Sequence, residues 1–158
     1  MDTLLKLRPL TKADIDCASQ ICLAAFNQSV AHTVSADGIA TFFKIASPDA
    51  FQARMHKDTF MLVAEREDIV IGVAELREGH HISMLFVRPD QQQQGIGRAL
   101  LHGLLNHVRS NTVTVSASLT SVPAYEKYGF KVTGEISETA RLIYQPMSLS
   151  VDIKEHNS

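Results

Sequence analysis

The stretch Leu85–Leu101, LFVRPDQQQQGIGRALL, decides the fold. A short apolar run, Met84 to Val87, ends at Arg88-Pro89. Four glutamines follow, then Gly95-Ile96-Gly97, and from there apolar residues recur at helical spacing. Strand, glycine loop and helix N-terminus in that order form a cradle of backbone N–H groups suited to an anion. The glutamines carry no charge, so any cradle rests on the main-chain donors of Gln93, Gln94, Gly95, Ile96, Gly97, Arg98 and Ala99. Arg98 sits in the first helical turn, where a cation opposes the helix dipole by a few tenths to about 1 kcal/mol. A bound diphosphate would reverse the sign of that cost. An Arg98 that points into solvent is equally compatible with the pattern.

Two familiar glycine motifs fail. A phosphate loop of the Walker type needs Lys and Ser/Thr after its last glycine, and Gly97 is followed by Arg98-Ala99. A dinucleotide fingerprint needs a third glycine, where Leu100 stands, and an acid after the next strand, which TVTVSAS lacks. The remaining pattern is a strand ending in Val87-x-Pro89, then Gln92-x-x-Gly95-x-Gly97 opening an amphipathic helix.

Outward from this stretch, Leu4 to Leu10 reads as a first strand, and residues 12 to 27 as a helix opened by Thr11 and Asp14. Ile39, Phe42, Phe43 and Ala46 mark a second helix closed by Ser47-Pro48, and 48–56 a short third one. Phe60–Ala64, Val70–Leu76 and Ile82–Val87 are rich in Val, Ile and Phe, with turns at Glu65–Asp68 and Glu78-Gly79, as in three antiparallel strands. Val113–Val115 is a strand and Pro123–Tyr128 a short helix ended by Gly129. Lys131–Glu135 and Arg141–Met147 are expected to close as a hairpin, and the polar residues 152–158 to fray. The prediction is one α+β domain over 1–158. Its mixed, mostly antiparallel twisted sheet has about six to seven strands, flanked by about four helices.

Composition sets the broad class. The 158 residues are 45% hydrophobic and 20% charged, with a formal net charge of −2 and no basic cluster, which argues against nucleic acid or an anionic membrane as partner. No apolar run approaches the roughly 20 residues of a membrane span. The N-terminal residues lack a signal-peptide core, so a cytoplasmic location is expected. Cys17 and Cys22 fall five positions apart in one helix and read as reduced thiols. The histidines show no metal-ligand spacing, so no metal is expected.

At this point the sequence resembles the GNAT N-acetyltransferase superfamily, which moves an acyl group from acyl-CoA to an amine. Its acyl-CoA motif, Arg/Gln-x-x-Gly-x-Gly/Ala, is matched by Gln92, Gly95 and Gly97. Its Tyr-Glu-Lys-x-Gly-Phe segment is similar to Tyr125-Glu126-Lys127-Tyr128-Gly129-Phe130. The resemblance implies acetyl-CoA as donor and an amine of a small molecule or protein as acceptor. It also allows a homodimer through the sheet edge or C-terminal strand. It assigns the oxyanion donor to a backbone N–H among Leu85, Phe86 and Val87, and the general acid to Tyr125. A tyrosine of ordinary pKa, about 10, stays protonated at neutral pH. Where the family often has Asn near the pantetheine arm, this chain has Ser116-Ala117-Ser118, and Ser116 or Ser118 is the substitute contact.

Two residues are candidates for the base. Strict alternation places His81, Ser83, Leu85 and Val87 on one strand face, with His81 toward the substrate. Glu75 on the preceding strand is the second candidate, and a water chain the third possibility. Asp37, Asp49, Glu75 and Glu78 are a weak hint of a cationic acceptor if they gather at the entrance. A non-catalytic CoA-binding sensor or interaction module is the alternative to an enzyme.

Overall fold

The computed structural model describes residues 4–153; the expected fraying of 154–158 concerns residues outside this range. Eight strands and five helices follow one another among the described residues. The first strand, β1 (Lys6–Pro9), leads into α1 (Ile15–Ser29), α2 (Ala36–Ile45) and α3 (Pro48–Met55). A meander follows: β2 (Thr59–Arg66), β3 (Ile69–Arg77) and β4 (His81–Val87). Next come α4 (Ile96–Leu105), β5 (Thr112–Ala117), α5 (Val122–Lys127), β6 (Lys131–Val132), β7 (Ser137–Thr139) and β8 (Leu142–Ser150). The expected class is borne out, with one more helix than anticipated and one or two more strands.

The sheet order is β1-β2-β3-β4-β5-β8-β6, with β7 paired to β8. All pairings are antiparallel except β4 with β5. Two-residue turns with both residues left-handed join β2 to β3 (Glu67, Asp68) and β7 to β8 (Ala140, Arg141), the conformation that matches the twist of hairpin strands; a three-residue loop with Glu78 and Gly79 left-handed joins β3 to β4.

Each sheet face has its own apolar cluster. One is roofed by α4 and contains Leu62, Ala74, Ile82, Leu100, Val113 and Met147. The other lies under α1 to α3 and contains Ile21, Phe26, Phe42, Val63, Val73 and Met84. The apolar stripe of α4 anticipated from its spacing, Ile96, Leu100, Leu101 and Leu104, is buried. Burying such side chains contributes roughly 1.5–3 kcal/mol each, which fixes α4, and therefore the glycine loop at its start, against the sheet. Serine hydroxyls cap α2 (Ser35 accepts from the Gly38 N–H) and α3 (Ser47 accepts from the Ala50 N–H).

The C-terminal hairpin differs from expectation. β8 does not pair simply with a strand at 131–135. It inserts between β5 and β6, with Met147 opposite both Val115 and Val132, and folds back on β7, which the sequence pattern does not announce. Burying Met147 between two strands holds β8 in the sheet interior.

Candidate functional site

The parallel pairing of β4 and β5 is confined to two residue pairs, His81 with Thr114 and Ile82 with Val115. Beyond Ile82 the strands part. A β-bulge begins the parting: Glu75 pairs with Met84 and Leu76 with Ile82, leaving Ser83 as an extra residue in β4. Bulges bend a strand and re-aim the side chains beyond the inserted residue. The gap opens a cleft of about 660 Å³, lined on its two strands by Ser83, Leu85, Phe86, Ser116 and Ala117, and just beyond β5 by Ser118. That volume suits a small-molecule site.

The bulge also corrects the face expected for His81. Ile82, Leu85 and Val87 pack toward α4, while Met84 and Phe86 pack toward α1. With the extra residue at Ser83, His81 shares the cleft face with Met84 and Phe86, not with Leu85 and Val87. Strict alternation misses this because it assumes no inserted residue.

One edge of β4 faces the gap. The Arg88 N–H donates to the Ile71 carbonyl on β3 at 2.8 Å. By strand alternation the Phe86 N–H also points to β3, and the N–H groups of Leu85 and Val87 point into the gap. The Gln92 side chain donates from Nε2 to the Val87 carbonyl at 3.1 Å. Gln92 therefore ties the loop to the open strand edge.

At the far end of the gap the glycine loop carries left-handed residues at Gln93 (φ 64°) and Gly95 (φ 79°). A Cβ at Gly95 would meet nothing within 4 Å. Unlike α2 and α3, α4 begins without a side-chain cap and with no acid in its first turn. The N–H groups of Ile96, Gly97 and Arg98 have no acceptor within the helix. Arg98 is exposed and forms no ion pair among the described residues. Arg66, not singled out from the sequence, donates from Nη1 to Gln94 Oε1 at 2.9 Å, and its buried Nε has no partner. The loop thus presents main-chain donors and cations, which fits a diphosphate. The second motif meets it: a Cβ on Gly97 would lie 3.4 Å from Tyr128 Oη.

Tyr125 lines the cleft, 7% exposed, with its ring edge-on to Tyr128 and Phe130. Its hydroxyl has no hydrogen-bond partner among the described residues. Burial, with a smaller effect from Tyr128, raises its pKa well above the ordinary value, so it keeps its proton. Ser118 Oγ shares a 2.6 Å hydrogen bond with Ser121 Oγ, and Ser121 is a further cleft residue not anticipated. Ser116, exposed, lines the same wall.

The two candidate bases are near one another but differ in state. His81 Nδ1 lies 2.7 Å from Thr114 Oγ1. Burial chiefly, with Arg77 and His80, lowers its pKa to about 4, so the ring is neutral at pH 7. The Glu75 side chain is 0% exposed and held in a fork by Arg54, Nε to Oε1 at 2.8 Å and Nη2 to Oε2 at 3.0 Å. Burial raises the Glu75 pKa, and Arg54 opposes the rise. Arg54 also donates to the Ile45 carbonyl at 2.7 Å and lies over the Phe51 ring. Of the four acids expected near the entrance, Glu75 alone lines the cleft; Asp37, Asp49 and Glu78 do not. The remaining walls are apolar, including Phe26, Phe42, Ile45 and Ile143.

Both cysteines are free, neither lines the cleft, and burial raises both thiol pKa values. Among the described residues there is no group of three or more metal-ligating side chains, and no helix is long and apolar enough to cross a membrane.

Comparison with known proteins agrees with this architecture. An uncharacterized N-acetyltransferase YafP of Escherichia coli is 42% identical over 52 residues, a match covering 33% of this chain and 33% of that protein. The chain thus spans about a third of that curated relative's length. A GCN5-related N-acetyltransferase from Rhodopseudomonas palustris superposes with a TM-score of 0.81 at 22% identity, covering 96% of this chain and 99% of that one. The PaiA N-acetyltransferase of Thermoplasma acidophilum, in complex with coenzyme A, superposes with a TM-score of 0.77 at 17% identity, covering 94% and 99%. The family model for the acetyltransferase (GNAT) domain matches residues 30–151. With well over half of its length matched by that model, the chain belongs to the GNAT acetyltransferase family.

Proposed function

We propose that the chain is an acetyl-CoA-dependent N-acetyltransferase that passes an acetyl group to a primary amine by direct attack. The observation that carries this reading is the parted pair β4 and β5, with an uncapped glycine-loop helix start at one end of the gap and Tyr125 in its wall. The main-chain donors from Gln93 to Ala99 would hold the pyrophosphate, with Arg98 and Arg66 adding positive charge. The inward N–H groups of Leu85 and Val87 would bind the carbonyl oxygen as it gains charge. The amine nitrogen attacks the thioester carbon, the C–S bond breaks, and Tyr125 gives its proton to the departing sulfur. Ser116, Ser118 and Ser121 replace the amide contact usual on the opposite wall.

The amine must shed a proton. His81 is the available acceptor, directly or through water, because both carboxylate oxygens of Glu75 are engaged by Arg54. At a pKa of about 4, His81 is a weak base and serves best as the end of a water path. Neither cysteine lines the cleft, so no thiol is at hand there to take the acetyl group.

The test is calorimetric binding of acetyl-CoA followed by CoA release across polyamines, aminoglycosides, amino acids and peptides. Release with at least one amine, lost in Tyr125→Phe, is expected. Tight binding with no release from any amine would refute catalysis. It would leave the second reading, a non-catalytic CoA-binding module, which the weak base at His81 favours.

A further inference from the structure

We propose that Arg77 selects the acceptor, and that the acceptor is a primary amine carrying a carboxylate beside an apolar body, as in an α-amino acid. This rests on the transferase reading above. Three Asp, Glu, Lys or Arg side chains line the cleft: Arg54, Glu75 and Arg77. Arg54 and Glu75 neutralise each other through two short hydrogen bonds. Arg77 is exposed and has no hydrogen-bond or ion-pair partner among the described residues. Asp58, the residue just before the neighbouring strand, is taken by Arg109 at 2.6 Å. Thr59, next to Asp58 in the chain, stands opposite Arg77. The cleft wall therefore carries one unspent guanidinium and no free carboxylate.

Position gives that charge a purpose. Arg77 pairs across the sheet with His81, two residues before the Ser83 bulge where β4 leaves β5. Two residues of strand span roughly 7 Å, within the reach of an arginine side chain. A guanidinium there presents the planar fork that matches a carboxylate. It repels a second ammonium, so it disfavours polyamines. The apolar wall of Phe26, Phe42, Phe86 and Ile45 takes the rest of the molecule.

The experiment uses the full chain with saturating acetyl-CoA and a matched trio: phenylalanine, phenylalanine amide and phenylethylamine. CoA release is followed against amine concentration. The acid should exceed both analogues in kcat/KM by about ten-fold or more. Arg77→Gln should bring the three to within about three-fold of one another by raising KM for the acid. Arg77→Lys should restore part of the preference, which a purely structural loss would not do. Turnover of the amide or phenylethylamine as efficient as that of the acid overturns the inference, as does an Arg77→Gln variant that slows all three equally. Turnover confined to polyamines or peptides overturns it while leaving the transferase intact. No CoA release from any amine overturns both.

Discussion

Replacing Arg54 by Met removes the guanidinium that pairs with an entirely buried carboxylate. Glu75, whose side chain is 0% exposed, then loses two hydrogen bonds of 2.8 and 3.0 Å. Breaking a buried pair in this way costs about 3–5 kcal/mol. The reverse change, Glu75→Leu, costs less, about 1–2 kcal/mol. Arg54 is 20% exposed, keeps its bond to the Ile45 carbonyl and its seat over Phe51, and can turn to water. The double variant Arg54→Met/Glu75→Leu should be more stable than Arg54→Met alone, since no buried charge remains. Urea unfolding at constant m-value measures all three. The pH dependence has a definite sign. Burial raises the Glu75 pKa above its ordinary 4.5, and without Arg54 nothing opposes that rise. The folded variant then binds a proton that the unfolded chain releases, so its stability falls as pH rises above 4.5. The deficit should be larger at pH 8 than at pH 5. A loss below about 1 kcal/mol at pH 8, or one no larger than that of Glu75→Leu, would refute the account of Glu75 as a buried, paired carboxylate.

Three further outcomes are expected. Tyr125→Phe removes a hydroxyl that no described protein group binds, so the urea midpoint should hold while kcat falls about 10²–10⁴-fold with unchanged acetyl-CoA affinity; a large stability loss would assign the residue to packing instead. Gly97→Ala should bind CoA almost normally in calorimetry, because its Cβ meets Tyr128 Oη at an ordinary 3.4 Å, whereas Gly97→Val, with two more carbons in the cradle, should weaken it about ten-fold or more. The His81 pKa of about 4 lies below its ordinary 6.5. Between those values the unfolded chain binds the proton and the folded one does not, so stability should fall as pH drops from 6.5 to 4. His81→Asn should flatten that slope in thermal unfolding.

The features legible in the sequence are those written in local pattern. The glycine loop, the α4 stripe, the three-stranded meander and the Gly129 stop (φ 99°) each arise from spacing within one segment. The features that escaped depend on pairing between distant segments. The bulge at Ser83 leaves no mark in HISMLFV, because an inserted residue is defined only against β3. The short strand β7, Ser137–Thr139, has no apolar alternation and exists because β8 offers it an edge. Arg54 reads as an ordinary exposed helix residue until the fold brings Glu75 beneath it, 21 positions away. Arg77, for the same reason, gains interest only once the fold pairs Glu75 with Arg54 and Asp58 with Arg109.

The two residue pairs that join β4 to β5 have a mechanical consequence. The sheet is two ladders, β1–β4 and β5–β8, sharing a seam of His81–Thr114 and Ile82–Val115. A continuous sheet resists shear along its whole length; this one has a short weld and an unzipped remainder, so the apolar cluster under α4, which takes side chains from both ladders, supplies much of the cohesion between them. A molecule seated across the gap acts as the missing rung. Its binding free energy adds to the cohesion of the halves, by RT ln(1 + [L]/Kd) for a ligand that prefers the folded chain. Amide hydrogen exchange in β5 and β8 should therefore slow when acetyl-CoA is added, while exchange in β2 and β3 stays nearly constant.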